Sequence, residues 1–165
     1  MASKAEESQQ IYFFDRSALL RRYQTRENGV RKINEIFTSY AQIYTSGLIF
    51  GEVVSELKRT LANDKAESIL PLLLGDMKSG RLKVLETKPG PVQEEVNAIR
   101  EVQLNWSGAG PIVELKPLEV FDLALTRLYL KEIQNGKTPV FVSADRSSVN
   151  LMKELGCETL LIEGE

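Results

Sequence analysis

The sequence predicts an α/β fold: a mainly parallel sheet covered by helices on both faces, with right-handed crossovers between strands. Three observations carry this reading. Short apolar runs, Ile11-Tyr12-Phe13-Phe14 and Pro139-Val140-Phe141-Val142 among them, alternate along the chain with segments of helical periodicity. Two of these runs end on an aspartate, Asp15 and Asp145, and pass directly into a helical pattern. At 165 residues and 42% hydrophobic content, the chain has apolar material for one core and is short for two domains.

Residues 1–10 are polar and read as a flexible lead-in to a single domain over residues 11–165. After the strand at 11–14, a short helix begins at Ser17-Ala18, and Val30, Ile33, Phe37 and Tyr40 recur at helical spacing in a second. Ile43 to Ser46 is the next strand. Leu48 to Leu61 follows as a helix with Ile49, Val53, Leu57 and Leu61 on its inner stripe. Lys65 to Lys78 is a helix expected to break or bend at Pro71, since proline lacks the amide that continues the ladder. Arg81 to Leu85 reads as a short edge strand stopped by Pro89-Gly90-Pro91, and Val92 to Leu104 resumes a helical pattern. Ser107-Gly108-Ala109-Gly110-Pro111 is the clearest loop. Pro117 opens a helix to about Gln134, closed by Asn135-Gly136, with Phe121, Leu125 and Leu128 facing the core. The strand at 139–144, a helix from Arg146 to Leu155 stopped by Gly156, and a strand at 159–162 complete the order.

Composition narrows the chemistry. The 21 basic and 23 acidic residues nearly cancel, so bulk charge does not point to nucleic acid. There is no histidine, which removes imidazole general bases, imidazole triads and histidine-ligated zinc. The single cysteine, Cys157, excludes an internal disulfide and a cysteine-cluster zinc site, and is read as core filler. No stretch is apolar enough to span a bilayer and Met1 to Gln10 is not signal-like, so a soluble, cytoplasmic protein is expected.

Chemistry is then left to carboxylates. In a parallel α/β sheet the strand exits and following helix starts share one edge. Asp15 and Asp145 lie at strand exits, and Glu52 and Asp122 near helix starts. Singly, each has an ordinary explanation: an aspartate there caps a helix, and acids in a first turn complement the macrodipole. Jointly, four converging carboxylates repel one another unless a counter-ion is present, and a hard divalent ion, magnesium or manganese, suits an all-oxygen site for phosphodiester hydrolysis. Glu56, one turn after Glu52, is an alternative to it by helical phase. Ser17 and Ser46 could support a carboxylate or serve only in local caps. Arg16, Arg21, Arg22, Arg26, Arg31 and Lys32 oppose one acid, Glu27, and with Arg146 could line a phosphate-binding rim or a solvated helix face.

Four segments, Ile11 to Leu19, Thr45 to Val53, Leu118 to Leu125 and Val142 to Arg146, together resemble the PIN-domain family, in particular the VapC-type toxins of prokaryotic toxin–antitoxin pairs. They occur in the family's order and span nearly the whole of 11–162. The resemblance implies a three-layer α/β/α sandwich on a central sheet of about five strands. It also implies a magnesium- or manganese-dependent endoribonuclease, a homodimer, and restraint by a small antitoxin protein occupying the groove. On the matching positions Asp15, Glu52, Asp122 and Asp145 would be the catalytic, metal-binding acids, supported by Ser17 and Ser46. Many relatives carry threonine where Ser143 stands, and a further acid where this chain has Ser147 and Ser148. A degenerate PIN-like module that binds RNA or protein without cutting is the alternative. A phosphatase of the haloacid dehalogenase type is disfavoured because Ser17 stands where its second aspartate would be.

Overall fold

The computed structural model describes residues 9–23, 30–61, 63–86, 91–108, 110 and 115–163. The elements run β1 (Ile11–Phe14), α1 (Arg16–Tyr23), α2 (Val30–Thr38), β2 (Gln42–Ser46), α3 (Gly47–Thr60), α4 (Asn63–Lys78), β3 (Leu82–Leu85), α5 (Val92–Leu104), α6 (Pro117–Ile133), β4 (Val140–Ser143), α7 (Arg146–Glu154) and β5 (Glu158–Leu161). All strand pairs are parallel, in the order β3-β2-β1-β4-β5. Two groups of helices pack among themselves, α1 to α4 and α5 to α7, and form the outer layers of an α/β/α sandwich.

The central strands are apolar on both faces because both are covered. Phe13, Phe14, Phe141 and Val142 are fully buried, with Ile43 and Leu82 almost so. Phe14 meets Phe37 of α2 edge-on at 5.4 Å, while Phe13 stacks at 6.3 Å on Tyr129 of α6. One strand thus anchors helices that arrive much later in the chain. The strand order has a functional consequence: the chain runs outward from β1 to β2 and β3, then returns to β4 on the other side of β1. The crevice beyond the carboxyl ends of β1 and β4 is the topological switch point, where open α/β sheets bind their ligands.

Some local expectations change. α4 runs through Pro71 without ending, since Pro71 is on the solvent side, where the orphaned carbonyl can meet water, and the buried Leu73 and Asp76 hold the next turn. Tyr40 falls beyond α2 and is 91% exposed. On α6, Phe121 is 39% exposed and Leu128 half-buried; the core contacts are Val120, Leu123, Ala124, Leu125, Tyr129 and Leu130. Leu125, one turn beyond Phe121 on the same side, is buried because the covering elements reach that turn and leave the helix start open. Residues 1–8 of the expected lead-in lie outside the described residues, but Gln9 and Gln10 already engage the sheet. Gln42 N donates to Gln10 O at 2.9 Å, and the Gln42 side chain donates to Gln9 Oε1. The Pro89-Gly90 stop and the end of the loop at Pro111 also lie outside the described residues. Cys157 is half-buried against the core.

Two polar clusters lock helices together inside the layers. Asp76 of α4, 5% exposed, accepts from Tyr23 Oη at 2.9 Å and from Arg22, whose guanidinium also donates to Asn34 and stacks on Phe37 at 4.3 Å. Across the sheet, buried Glu95 of α5 pairs with Arg127 and Lys131 of α6. Among the described residues no helix is long and apolar enough to cross a membrane.

Candidate active site

Asp15, Glu52, Asp122 and Asp145 all line one cavity of about 290 Å³ at the switch point. Each is placed by a different element. The pleat of β1 ends with Phe14 buried, and Asp15 follows with its amide still donating to Val142 O of β4 at 3.1 Å. Asp145 leaves β4 and enters α7 as its N-cap. Glu52 lies in α3, which starts directly at the end of β2. Asp122 lies on the second turn of α6. Phase along α3 separates the two glutamates: Glu52 lines the cavity, whereas Glu56 pairs with Arg59 at 2.7 Å on the outer surface.

Capping and convergence turn out to be compatible. Asp15 Oδ1 accepts from Ala18 N at 2.9 Å and Ser17 Oγ at 2.7 Å. The Asp145 carboxylate accepts from Ser147 N, Ser148 N and, at 2.6 Å, Ser148 Oγ. Ser17 also accepts from Ala144 N at 2.8 Å and lies 3.1 Å from Ser143 Oγ, so its hydroxyl ties the exit of β1 to the exit of β4. Ser46 instead caps α3, accepting from Ile49 N at 3.1 Å.

The electrostatics are those of crowded acids. Burial, opposed by hydrogen bonds from Ser143, Ala18 and Ser17, raises the Asp15 pKa from 3.8 to about 6, with the Asp145 charge adding to the rise. Asp122 is pushed from 3.8 to about 8 by burial, then by a hydrogen bond and the charge of Glu52, against the pull of Arg16. At neutral pH the Asp122 carboxyl therefore keeps its proton beside Glu52.

Among the described residues no three acids form a ready-made metal-ligand set. The physical reason lies in the bonds just described: Asp15 and Asp145 are turned to their own caps, and Glu52 and Asp122 to each other. The residues nonetheless fit a hard cation on a separate observation. Glu52 Oε2 and Asp122 Oδ1 are buried and accept no hydrogen bond from a neighbouring N–H or hydroxyl, so apart from a proton kept between the two acids they are open to a cation. With four carboxylates and no nitrogen or sulfur donor, the cavity suits magnesium or manganese.

The basic residues separate. Arg16 lines the cavity and acts on Asp122. Arg146 pairs with Glu163 at 2.6 Å beside Asp145. Arg22, expected at a phosphate-facing rim, is instead built into the Asp76 cluster. Arg21, in the last turn of α1, is not among the residues lining the cavity. Arg26 lies outside the described residues. Ser148, Thr126, Lys116 and Glu119 line the cavity without having been singled out as site residues from sequence, and Ser143 braces Asp15 from behind. Ser143 was legible as the residue closing the apolar run Val140-Phe141-Val142, and both it and Ser148 as positions where the resemblance differs; Thr126, Lys116 and Glu119 depend on tertiary placement.

No family model and no curated protein matches this chain. Solved structures do match in fold. VapBC2 from Rickettsia felis, bound to a DNA fragment from its promoter, superposes with a TM-score of 0.61 at 10% identity, covering 93% of this chain and 99% of that one. FitAcB from Neisseria gonorrhoeae gives 0.60 at 12% identity over 91% and 96%. VapC20 from Mycobacterium tuberculosis, described as a sarcin–ricin loop cleaving toxin, gives 0.54 at 15% identity over 83% and 92%. The chain shares the fold of these structures, a PIN-like α/β/α sandwich on a five-stranded parallel sheet.

Proposed function

We propose that this protein is a magnesium- or manganese-dependent endoribonuclease acting as the toxin of a toxin–antitoxin pair. The observation that carries this reading is the convergence of Asp15, Glu52, Asp122 and Asp145 on one cavity, with two of their buried oxygens accepting no hydrogen bond from a neighbouring N–H or hydroxyl. A bound divalent ion would supply charge neutralisation and water activation for phosphodiester hydrolysis. Asp15, Glu52, Asp122 and Asp145 would hold it. Ser17 and Ser143 fix the orientation of Asp15, and the α7 cap fixes Asp145, so both carboxylates are pre-oriented. Asp122, protonated beside Glu52 in the empty cavity, would release that proton on holding a cation. Arg16 offsets the negative field at the mouth, where an anionic substrate must approach.

The neighbours' described properties support the biological side: cleavage of the sarcin–ricin loop by VapC20, and assembly of VapBC2 on promoter DNA. By analogy, the substrate is RNA, a small antitoxin restrains the enzyme at the cavity, and the toxin forms a homodimer in the cytoplasm. The test is cleavage of RNA with manganese, its arrest by EDTA, and its loss in Asp15→Asn. Manganese binding by calorimetry is the control: binding without cleavage would favour the non-cutting RNA- or protein-binding module, and full activity in Asp15→Asn would refute the site.

A further inference from the structure

The cavity holds a basic residue that the carboxylate chemistry does not use. Lys116 lines it together with Arg16, one arriving just before α6 and the other at the start of α1. Among the described residues neither side chain forms an ion pair. Glu119, three residues further on, accepts from the Lys116 backbone amide at 2.7 Å through Oε2.

The backbone at Lys116 is held rather than loose. Leu115 before it is buried, and Pro117 after it restricts Lys116 to extended backbone, observed at φ −65° and ψ 155°. Lys116 is itself exposed and lines the cavity from an extended, proline-restricted backbone. Five acids line this cavity, counting Glu119. Even after a divalent ion neutralises part of that charge, an approaching phosphodiester meets a negative field unless a cation faces it.

We propose that Lys116, with Arg16, grips a backbone phosphate of single-stranded RNA next to the bond presented to the carboxylates. This deepens the nuclease reading and rests on it. A lysine in this role contributes a point charge to affinity, independent of base sequence.

The experiment is fluorescence anisotropy of a labelled single-stranded oligoribonucleotide, with calcium replacing manganese so that the RNA stays uncut. Wild type, Lys116→Gln and Lys116→Arg are titrated over a range of salt concentrations. Lys116→Gln should weaken binding equally for different RNA sequences and lower the slope of log affinity against log salt by about 0.7, the loss of one single-strand phosphate contact. Lys116→Arg should restore both. Manganese binding and melting temperature should match wild type in both variants. An unchanged salt slope in Lys116→Gln, weakened manganese binding in that variant, or no RNA binding by wild type would each overturn the proposal. Failure of the nuclease reading looks different: RNA bound with a lysine-dependent slope, yet not cleaved with manganese.

Discussion

Replacing Asp122 with asparagine should stabilise the metal-free protein while removing its ability to load a cation. In the folded state Asp122 is pushed from 3.8 to about 8 by burial and by Glu52. Above pH 3.8 the unfolded chain gives up this proton while the folded chain keeps it, so the native state binds more protons and its stability falls as pH rises, levelling off above about pH 8. At roughly 1.4 kcal/mol per pKa unit, the full displacement would correspond to about 6 kcal/mol. Asp122 is only partly buried and its cavity opens to water, which screens these charges and reduces the realistic effect to about 2 kcal/mol. Asparagine can still donate to Glu52 but has no proton to lose. The advantage of Asp122→Asn over wild type should therefore be near zero at pH 4 and grow to about 2 kcal/mol at pH 8, or roughly 4 to 8 °C in melting temperature. Urea unfolding in EDTA at pH 4, 6 and 8 measures it, and calorimetry with manganese should show binding lost. A stability difference that is flat with pH, or a variant less stable than wild type at pH 8, would refute the raised pKa of Asp122.

The remaining expectations concern the division between site and scaffold. Glu52→Gln should abolish RNA cleavage, whereas Glu56→Gln should leave it intact and change stability by no more than about 0.5 kcal/mol, because Glu56 forms only an outer ion pair with Arg59; paired cleavage assays and melts read both. Asp76→Ala should destabilise by about 3 kcal/mol or more, since it strands the half-buried Arg22 and the buried Tyr23 hydroxyl. Urea unfolding measures that loss, and manganese binding by the folded fraction should be unchanged.

Element order was readable because its causes are local. Apolar runs such as Ile11 to Phe14 and Pro139 to Val142 declare strands, and the stripe of Ile49, Val53 and Leu57 declares a helix, all within a few residues of chain. A misreading arose where distant packing overrode a local rule: Phe121 is left at an open helix start while Leu125 is covered, and of the break or bend expected at Pro71 the break does not occur. Arg22 shows the same limit. Its charge was visible in sequence, but its partner Asp76 lies 54 residues away and took it into the interior.

The candidate site divides in the same way. That the chemistry must rest on carboxylates follows from sequence alone, through the absence of histidine and the four acids at strand exits and helix starts. Position along the helix already favoured Glu52, and Ser17 was a candidate support for a carboxylate; the outward ion pair of Glu56, the tie of Ser17 to Ser143, the raised pKa of Asp122 and the place of Lys116 at the cavity came only from tertiary structure. Residue type determines what a group can do chemically. Which groups meet depends on the sheet order, and therefore on long-range packing that brings β1 beside β4 across more than a hundred residues of chain.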